Sequence, residues 1–346
     1  MKHQTTRYGE VPFYKIGTFG NTADAFISKK LFLEYQTKYS FPKKGDILIS
    51  ASGTIGRAVI YDGKPAYFQD SNIVWIDNDE TLVKNDFLFY AYSNVKWNTE
   101  HTTILRLYND NFRNTLIPLP PLNEQIAIAN ILSALDRYLC TLDALILKKE
   151  SVKKSLSFEL LSQRKRLKGF NQSWQRVRLG DIANYLISNL SAEQITQQGK
   201  IKVYDVNNFI GYTDTTFISD KPYISIVKDG SVGRVRILPP KTNILSTMGA
   251  LIANHRTTTE FLFYLLSNFD FKNFISGSII PHIYFRDYKE KTIFLPPLNE
   301  QNAIANILSA LDNEITSLKN KKRQFENIKK TLNHDLMSAK IRVLKK

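Results

Sequence analysis

The chain has 346 residues, and 47 Lys and Arg against 32 Asp and Glu leave a formal net charge of +15, with 43% hydrophobic and 12% aromatic residues. This length predicts two or three domains, and the apolar content excludes a disordered basic tail, which could not bury enough surface to offset its ordering entropy. The positive excess favours a polyanionic partner, most commonly nucleic acid.

Membrane, secreted and metal-dependent classes find no support in the sequence. Apolar stretches such as 261–266 are far shorter than the about 20 residues that cross a bilayer, and residues 1–20 hold no apolar signal segment. The single Cys140 cannot form an internal disulfide, and five scattered histidines give no zinc-ligand spacing. We therefore expect a cytoplasmic protein without a metal site.

Residues 1–118 carry the patterns of a mixed α/β domain. Segments 46–50, 58–61 and 72–76 are rich in β-branched and aromatic residues and are bounded by turn-forming or charged residues, which predicts strands. Segment 86–94 has the apolar spacing of a helix.

The next segment, 119–168, predicts a long helix. It opens with LPPLNEQIAIANILSALD, in which two prolines end the preceding structure and Asn123 and Glu124 suit a helix start. Apolar residues then recur at the alternating spacing of four and three that marks a coiled-coil seam. Gly169 is suited to follow the last turn.

The second half repeats the first. Residues 174–294 again carry α/β patterns, with a predicted strand at 201–206 and a predicted helix at 260–268. Segment 295–346 then opens with LPPLNEQNAIANILSALD, which differs from the first copy only where Asn302 replaces Ile126. One unit written twice predicts a pseudo-twofold molecule.

The predicted fold class is therefore mixed α/β (α+β), with two globular domains joined by two long helices. An amphipathic helix of this length needs a partner for its apolar stripe, and the nearest partner is the other copy. A linker at 169–173 followed by a whole domain lets the two helices pack antiparallel. The predicted seam residues are Ile128, Leu132, Leu135, Leu139 and Leu142 in the first helix and Ile304, Leu308, Leu311, Ile315 and Leu318 in the second.

The paired LPPLNEQ segments, each after a variable domain and before a heptad helix, resemble the specificity subunit of Type I restriction-modification systems. The lead-in 174–182 and the loop at 276–278 are similar to that family as well. The resemblance implies two target-recognition domains, 1–118 and 174–294, each reading half of a gapped double-stranded DNA site. The helices at 119–168 and 295–346 would then act as spacer and docking surface.

The resemblance also implies partners and cofactors. Two methyltransferase (modification) subunits would dock on the chain, and whether restriction or motor subunits join stays open. S-adenosylmethionine would be bound by the methyltransferase, and ATP with Mg would be used by the motor subunit. The specificity subunit itself holds no cofactor and is not an enzyme.

One departure concerns the first domain. Aligning Gly9 with Gly199 leaves no counterpart of 174–182 in the first half. We therefore expect target-recognition domain 1 to be shortened at its N-terminal side.

No catalytic motif is present in the sequence. It has no Asn-Pro-Pro-Tyr or Asn-Pro-Pro-Phe run of an adenine methyltransferase, no GxxxxGK[ST] phosphate loop and no Pro-Asp pair of a nuclease cluster. These absences favour a binding role over an enzymatic one.

Two glycine-rich loops are candidate DNA contacts. GTIGR at 53–57 and GSVGR at 230–234 could cradle a phosphate through backbone N–H groups and an arginine, or could be plain hairpin turns.

Arg106 and His282 occupy equivalent places after a short polar loop in each half. Arg can bond guanine and His can donate to a base edge, as two different half-sites would require, although both could be surface cations. Polar clusters at 69–72 and 254–256 are weaker candidates that could be ordinary turns. The candidate DNA-binding residues are Ser52, Thr54, Arg57, Gln69, Asn72, Arg106, Asn109, Ser231, Arg234, His255, Arg256, Ser278, His282 and Arg286.

Two rival interpretations stay open at this point. The chain could be the truncated specificity half of a single-chain restriction-methylation enzyme. It could also be a coiled-coil interaction protein that does not bind DNA, with its charge serving solubility.

Overall fold

The computed structural model describes residues 4–68, 72–97 and 106–344. These residues form two compact units: unit 1 holds 1–143 and 320–346, and unit 2 holds 144–319. The division falls within the two long helices rather than beside them, so each unit contains part of both. The long helices are α4 (Leu122–Leu161) and α7 (Leu298–Met337). They are shorter than the repeated segments, 119–168 and 295–346, that contain them.

Unit 1 contains two three-stranded sheets. In the first, the central strand β1 pairs antiparallel with β2 and parallel with β5; in the second, β3 lies between β4 and β6 and is antiparallel to both. The strands are β1 (Val11–Tyr14), β2 (Ala25–Ile27), β3 (Ile47–Ser50), β4 (Ala58–Ile60), β5 (Tyr67–Phe68) and β6 (Ile73–Ile76). The shorter helices are α1 (Lys29–Lys38), α2 (Asn85–Tyr92) and α3 (Asn109–Arg113).

Unit 2 contains counterparts of both sheets and a third, two-stranded sheet. Its sheets have the orders β10-β9-β13, β12-β11-β14-β8 and β15-β7, and the second of them is longer by one strand than its counterpart in unit 1. The strands are β7 (Gln175–Arg178), β8 (Ala183–Ile187), β9 (Ile201–Tyr204), β10 (Phe209–Thr213), β11 (Tyr223–Val227), β12 (Val235–Leu238), β13 (Thr242–Ile244), β14 (Met248–Ala253) and β15 (Thr292–Leu295). The shorter helices are α5 (Thr259–Ser267) and α6 (Phe285–Tyr288).

The strands and the shorter helices predicted from composition and spacing are present within one or two residues of their predicted bounds, whereas both long helices end several residues earlier than predicted. Strands β3 and β11 are buried along their whole length because each lies between two neighbours and under a helix. Helices α2 and α5 carry their buried residues on the faces that pack against the long helices and the sheets. The repeat found in the sequence is therefore present in the folds of the two units.

Within each unit the two long helices run antiparallel, as predicted. In unit 1, ion pairs join Glu124 to Arg342 just past the end of α7 and Asp143 to Lys322, so residue numbers rise along α4 as they fall along α7. In unit 2, Arg166 pairs with Glu300 at 2.7 Å and Glu150 with Lys319 at 2.6 Å, in the same sense.

The predicted seam positions all turn away from solvent, to two different degrees. Four of the buried positions, Ile128, Leu132, Ile304 and Leu308, also belong to clusters with α2 or α5: Leu132 joins Phe87 and Tyr90 of α2, and Leu308 joins Phe261 of α5. Ile128, Leu132, Leu142, Ile304, Leu308 and Ile315 are buried, whereas Leu135, Leu139, Leu311 and Leu318 are half-buried.

No helix among the described residues is long and apolar enough to span a membrane. No group of three or more His, Cys, Asp or Glu residues in the described ranges is placed to hold a metal ion.

Candidate nucleic-acid interface

The two glycine-rich loops are hairpin turns at the same place in each unit. In unit 1 the Gly56 N–H donates to the Ser50 carbonyl at 3.0 Å, which closes the turn between β3 and β4. In unit 2 the Gly233 N–H donates to the Val227 carbonyl at 2.9 Å, between β11 and β12. Of the two interpretations of these loops, the hairpin turn describes the backbone; a phosphate contact there stays a prediction.

Glycine is required in these turns for two reasons. Gly56 and Gly233 have φ values of +79° and +81°, a region that other residues rarely adopt. A Cβ atom on Gly56 would meet Trp97 Nε1 at 2.2 Å, and one on Gly233 would meet a ring carbon of Phe271 at 2.7 Å. Each turn thus lies directly against an aromatic ring.

A second loop pairs with the start of each hairpin. In unit 1, Ser52 forms an antiparallel bridge with Arg106, and in unit 2 Asp229 forms the same bridge with His282. The residue after each bridge completes the match, since the Leu107 N–H donates to the Ala51 carbonyl at 2.8 Å and the Ile283 N–H donates to the Lys228 carbonyl at 2.9 Å. Arg106 and His282 therefore occupy equivalent backbone positions, as the alignment of the halves predicts.

In unit 2 the second loop, 276–282, is a short loop closed at its base. Ser276 and His282 pair at its base, and the Pro281 carbonyl accepts the Gly230 N–H at 2.9 Å, which ties the loop to the hairpin. Ser278 is exposed on this loop, next to Ile279 and Ile280, whose exposures are 92% and 55%. The loop thus presents a hydroxyl and two apolar side chains to solvent beside His282.

His282 is oriented by an acidic neighbour. Its Nδ1 lies 2.6 Å from Asp229 Oδ1, and Lys228 Nζ donates to Asp229 Oδ2 at 2.9 Å. Burial raises the pKa of Asp229, but the hydrogen bonds from His282 and Lys228 outweigh it, so this pKa lies below its usual value. An ionised Asp229 accepts the Nδ1–H, which leaves Nε2 as the ring nitrogen that can form another hydrogen bond.

In unit 1 a neutral pair takes the place of the acidic one. Ser52 Oγ donates to Asn72 Oδ1 at 3.0 Å, which turns the Asn72 amide nitrogen, a double donor, away from Ser52. Ser52 is buried and Arg106 is exposed beside it. The same backbone frame thus presents guanidinium and amide donors in unit 1 and an imidazole in unit 2.

The remaining candidate residues lie in the glycine-rich hairpins and in α3 and α6. Arg57 and Arg234 are both exposed, and Arg57 donates to the Phe19 carbonyl at 3.0 Å. Asn109 begins α3, and Arg286 lies in the equivalent α6 with its guanidinium 4.9 Å from the Tyr284 ring. Thr54 and Ser231 are exposed in the turns. Gln69 lies outside the described residues.

His255 and Arg256 lie apart from these loops, and a DNA contact by either residue stays a prediction. They follow the far end of β14, six residues and about 20 Å of strand from the end that borders Asp229. There the Arg256 carbonyl accepts a hydrogen bond from Gln301 Nε2 at 2.9 Å, and its guanidinium donates to Gln175. The polar turn at 254–256 thus connects the end of β14 to α7.

The Asn-Glu-Gln runs of the repeated segments have an internal role. Gln125 accepts the Lys84 N–H at 2.9 Å at the start of α2, and Gln301 accepts the Thr258 N–H at 3.0 Å at the start of α5. Glu300 is fully buried and accepts hydrogen bonds from Arg166 and from Trp174 Nε1 at 2.9 Å. The two glutamines thus hold α2 and α5 to the long helices. The identical Asn-Glu-Gln run in both copies was the signal that could have revealed this role.

Asp229 was missed by sequence reasoning. It lies next to the glycine-rich run, but its partner His282 is 53 residues away, and the bridge that joins them is not visible in either local pattern.

The comparisons with known proteins agree with this architecture. The family model described as the Type I restriction modification DNA specificity domain matches residues 1–150 and again 171–327. The chain belongs to this family of specificity subunits, whose members recognise DNA and are not catalytic. An interaction protein without DNA binding is not favoured.

Individual relatives and solved structures carry the same description. A Haemophilus influenzae protein named "Putative type I restriction enzyme specificity subunit" is 63% identical over 133 residues, which cover 38% of this chain and 34% of that protein. The type I restriction enzyme MjaVIII specificity subunit of Methanocaldococcus jannaschii is 25% identical over 92% of this chain and 84% of its own length. The S subunit structure from M. genitalium has the same fold, with a TM-score of 0.65 at 20% identity, and the match covers 97% of this chain and 91% of that one.

Proposed function

We propose that unit 1 and unit 2 each read one half of a two-part DNA site through the paired loops described above. The observation that supports this most is that one backbone frame occurs twice with different polar side chains, Ser52 and Arg106 in one unit and Asp229 and His282 in the other. A frame that is kept while its base-facing chemistry changes is what two different half-sites require.

In unit 1, the guanidinium of Arg106 can bond to O6 and N7 of a guanine, the commonest specific contact in a major groove. The Asn72 amide is held by Ser52 with its nitrogen available as a donor, which suits an acceptor on a neighbouring base. Thr54 and Asn109 flank this pair on exposed backbone.

In unit 2, the imidazole of His282 is the central reader. With Nδ1 bound by Asp229, Nε2 accepts a hydrogen bond in the neutral ring and donates one in the protonated ring. Ser231 and Ser278 lie on the two loops beside it, and Arg286 follows on α6.

Arg57 and Arg234 would contact phosphates rather than bases. They follow rigid glycine turns at the rim of each loop pair and carry their charge into solvent. Such contacts add affinity and fix register without reading sequence.

Methyltransferase subunits would bind the long helices, one for each repeated segment, and restriction subunits would join that complex. Exposed apolar side chains at matching positions, Leu122 in α4 and Leu298 in α7, support such docking, as do Ile126 and Phe158. The partners would bring S-adenosylmethionine and ATP with Mg, while this chain supplies recognition in the cytoplasm, where the DNA is.

The proposal is tested by co-expressing the chain with its methyltransferase and measuring mass and DNA binding. We expect two methyltransferases per chain and an affinity that falls by about 0.9 log unit per log unit of salt for each phosphate contacted. A stable complex with one methyltransferase would contradict twofold docking. Binding that does not change with salt would contradict the DNA interface.

A further inference from the structure

A buried tyrosine in α2 and another in α5 are hydrogen-bonded to a long helix. In unit 1, the Tyr90 hydroxyl of α2 donates to Asp136 Oδ2 of α4 at 2.7 Å. In unit 2, the Tyr264 hydroxyl of α5 donates to Asp312 Oδ2 of α7 at 2.9 Å. Burial and the neighbouring carboxylate raise the pKa of both tyrosines, so each hydroxyl keeps its proton and acts as the donor.

A lysine from the other long helix joins each of these pairs. Lys329 of α7 pairs with Asp136, and its Nζ lies 5.7 Å from the ring centre of the tyrosine. Lys153 of α4 pairs with Asp312, and its Nζ lies 5.8 Å from the corresponding ring centre. Each unit thus contains a Tyr-Asp-Lys triad that connects one short helix to both long helices, and α4 and α7 exchange roles between the two triads.

The triad is the second point at which each short helix is attached. The first is the contact of Gln125 with the start of α2, or of Gln301 with the start of α5. Asp136 follows Gln125, and Asp312 follows Gln301, by 11 residues, about 16 Å along the long helix. One point alone would let the short helix pivot, whereas two separated points fix its direction along the long helix.

Apolar packing beneath the short helices cannot fix this direction as strictly. Leu132 lies in one cluster with Phe87 and Tyr90, and Leu308 lies in one cluster with Phe261. Burial of apolar surface is non-directional, so it tolerates a small rotation of one helix on another. A hydrogen bond depends on both the distance and the angle between its partners, so the triad supplies the directional part of the attachment.

We propose that the two triads are positioning groups, which hold each DNA-reading domain in one orientation on the long helices and so determine how strictly the length of the unread gap is enforced. The inference rests on the proposed reading of two half-sites. Each base pair added to the gap moves the second half-site by about 3.4 Å and turns it by about 35°. A domain held in one orientation rejects such a shift, whereas a domain that can pivot follows part of it.

The orientation is measured without DNA, on the full chain. Cys140, the single cysteine, is exposed on α4, and Thr54→Cys adds a second label site in the glycine-rich turn of the same unit. Double electron–electron resonance between spin labels at these positions should give one narrow distance distribution. Tyr90→Phe, which removes only the hydroxyl, should widen this distribution.

Tyr92→Phe is the matched control. Tyr92 is another buried tyrosine of α2, and its hydroxyl bonds to none of the described residues of α4 or α7. The substitution removes the same atom from the same helix and should leave the distance distribution as narrow as before. Circular dichroism and thermal unfolding check that both variants fold.

The effect on DNA is measured by methylating a library with random half-sites and gaps of several lengths, using the assembled complex. The preference for the favoured gap over a gap one base pair longer should fall about tenfold in Tyr90→Phe and in Tyr264→Phe, as expected for one lost hydrogen bond to a charged group. The bases read at both half-sites should stay the same. Tyr92→Phe should leave the gap preference unchanged.

A double substitution tests whether the three residues act together. Tyr90→Phe and Lys329→Met both act through Asp136, so the two together should weaken the gap preference little more than either alone. Tyr90→Phe and Tyr264→Phe belong to separate triads, so their effects should multiply. Multiplying effects for the first pair would contradict a triad.

Two results would overturn the positioning role. One is a distance distribution in Tyr90→Phe as narrow as in the wild type, and the other is equal widening by Tyr92→Phe. A widened distribution with an unchanged gap preference would contradict the link between orientation and gap. A wild-type complex that methylates without base preference would instead contradict the proposed DNA reading, and the label distances alone would then decide the positioning role.

Discussion

At the scale of single residues, the pair formed by Asp229 and His282 carries a prediction about specificity. Asp229→Asn keeps the size of the side chain but removes the charge that holds the Nδ1–H, so Nε2 loses its fixed role. We expect the bases of one half-site to be read less strictly by about 1–3 kcal/mol, with the other half-site unchanged. Ser52→Ala is the matched control in unit 1 and should affect only the other half.

The pH dependence of the same pair has a defined direction. Because the pKa of Asp229 is lowered in the folded state, its stabilising contribution is present above the unfolded value, near 4, and is lost as pH falls through the lower folded value. The free energy of unfolding of the wild type should therefore exceed that of Asp229→Asn by less at pH 3 than at pH 5. Chemical unfolding at a series of pH values measures this, and a difference that grows below pH 4 would contradict the assignment.

The repeat made it possible to predict from the sequence which residues occupy equivalent positions in the two units. Arg106 and His282 were paired by the offset of the two halves, and the structure places them at equivalent bridges. Asp229 escaped because its role depends on a contact with His282, which is distant in the sequence. His255 and Arg256 looked equally polar, but the length of β14 separates them from the interface.

At the scale of elements, the junction between Glu300, Arg166 and Trp174 should be the most sensitive point of unit 2. Arg166→Ala leaves a fully buried carboxylate with one of its two side-chain partners, and we expect a loss of about 3–5 kcal/mol in unfolding free energy. The equivalent Arg342→Ala in unit 1 should cost less, since Arg342 is about half exposed. Thermal unfolding of both variants gives the comparison, and equal losses would contradict the role assigned to burial.

The seam of the long helices predicts a graded response to truncation. Leu308→Ala should lower the free energy of unfolding by about 2–5 kcal/mol, because Leu308 is fully buried. Its side chain lies between α7 and α5 in the core of unit 2. The half-buried Leu311 is the control, and Leu311→Ala should cost clearly less. Denaturant titration of the two variants measures the difference.

The spacing of apolar residues was sufficient to predict both long helices, and the linker at 169–173 followed by a whole domain predicted their antiparallel pairing. It could not distinguish Leu308 from Leu311, since a heptad pattern describes only the partner helix. The difference comes from α5, which packs on one part of the seam. The start of α4 also differs from the prediction. The helix begins at Leu122, before Asn123, because the Pro121 carbonyl accepts the Glu124 and Gln125 N–H groups.

At the scale of the whole molecule, both long helices run from one unit into the other along the chain, so their length should set the unread gap between the half-sites. Inserting seven residues after Asp143 and after Lys319 keeps the heptad seam and lengthens each helix by about 10 Å. We expect the gap to grow by about three base pairs at 3.4 Å per pair, with the half-sites unchanged. Mapping of methylated sites would measure this, and a change in the bases read would contradict it.

The central claim, that each unit reads its own half-site, is tested most directly by methylating a randomised DNA library with the assembled complex and sequencing the modified molecules. Arg106→Ala and His282→Ala are compared with the wild type in the same experiment. The account predicts that Arg106→Ala relaxes the bases of one half-site and His282→Ala those of the other, each by about 1–3 kcal/mol. Relaxation of the same half-site by both substitutions would contradict it.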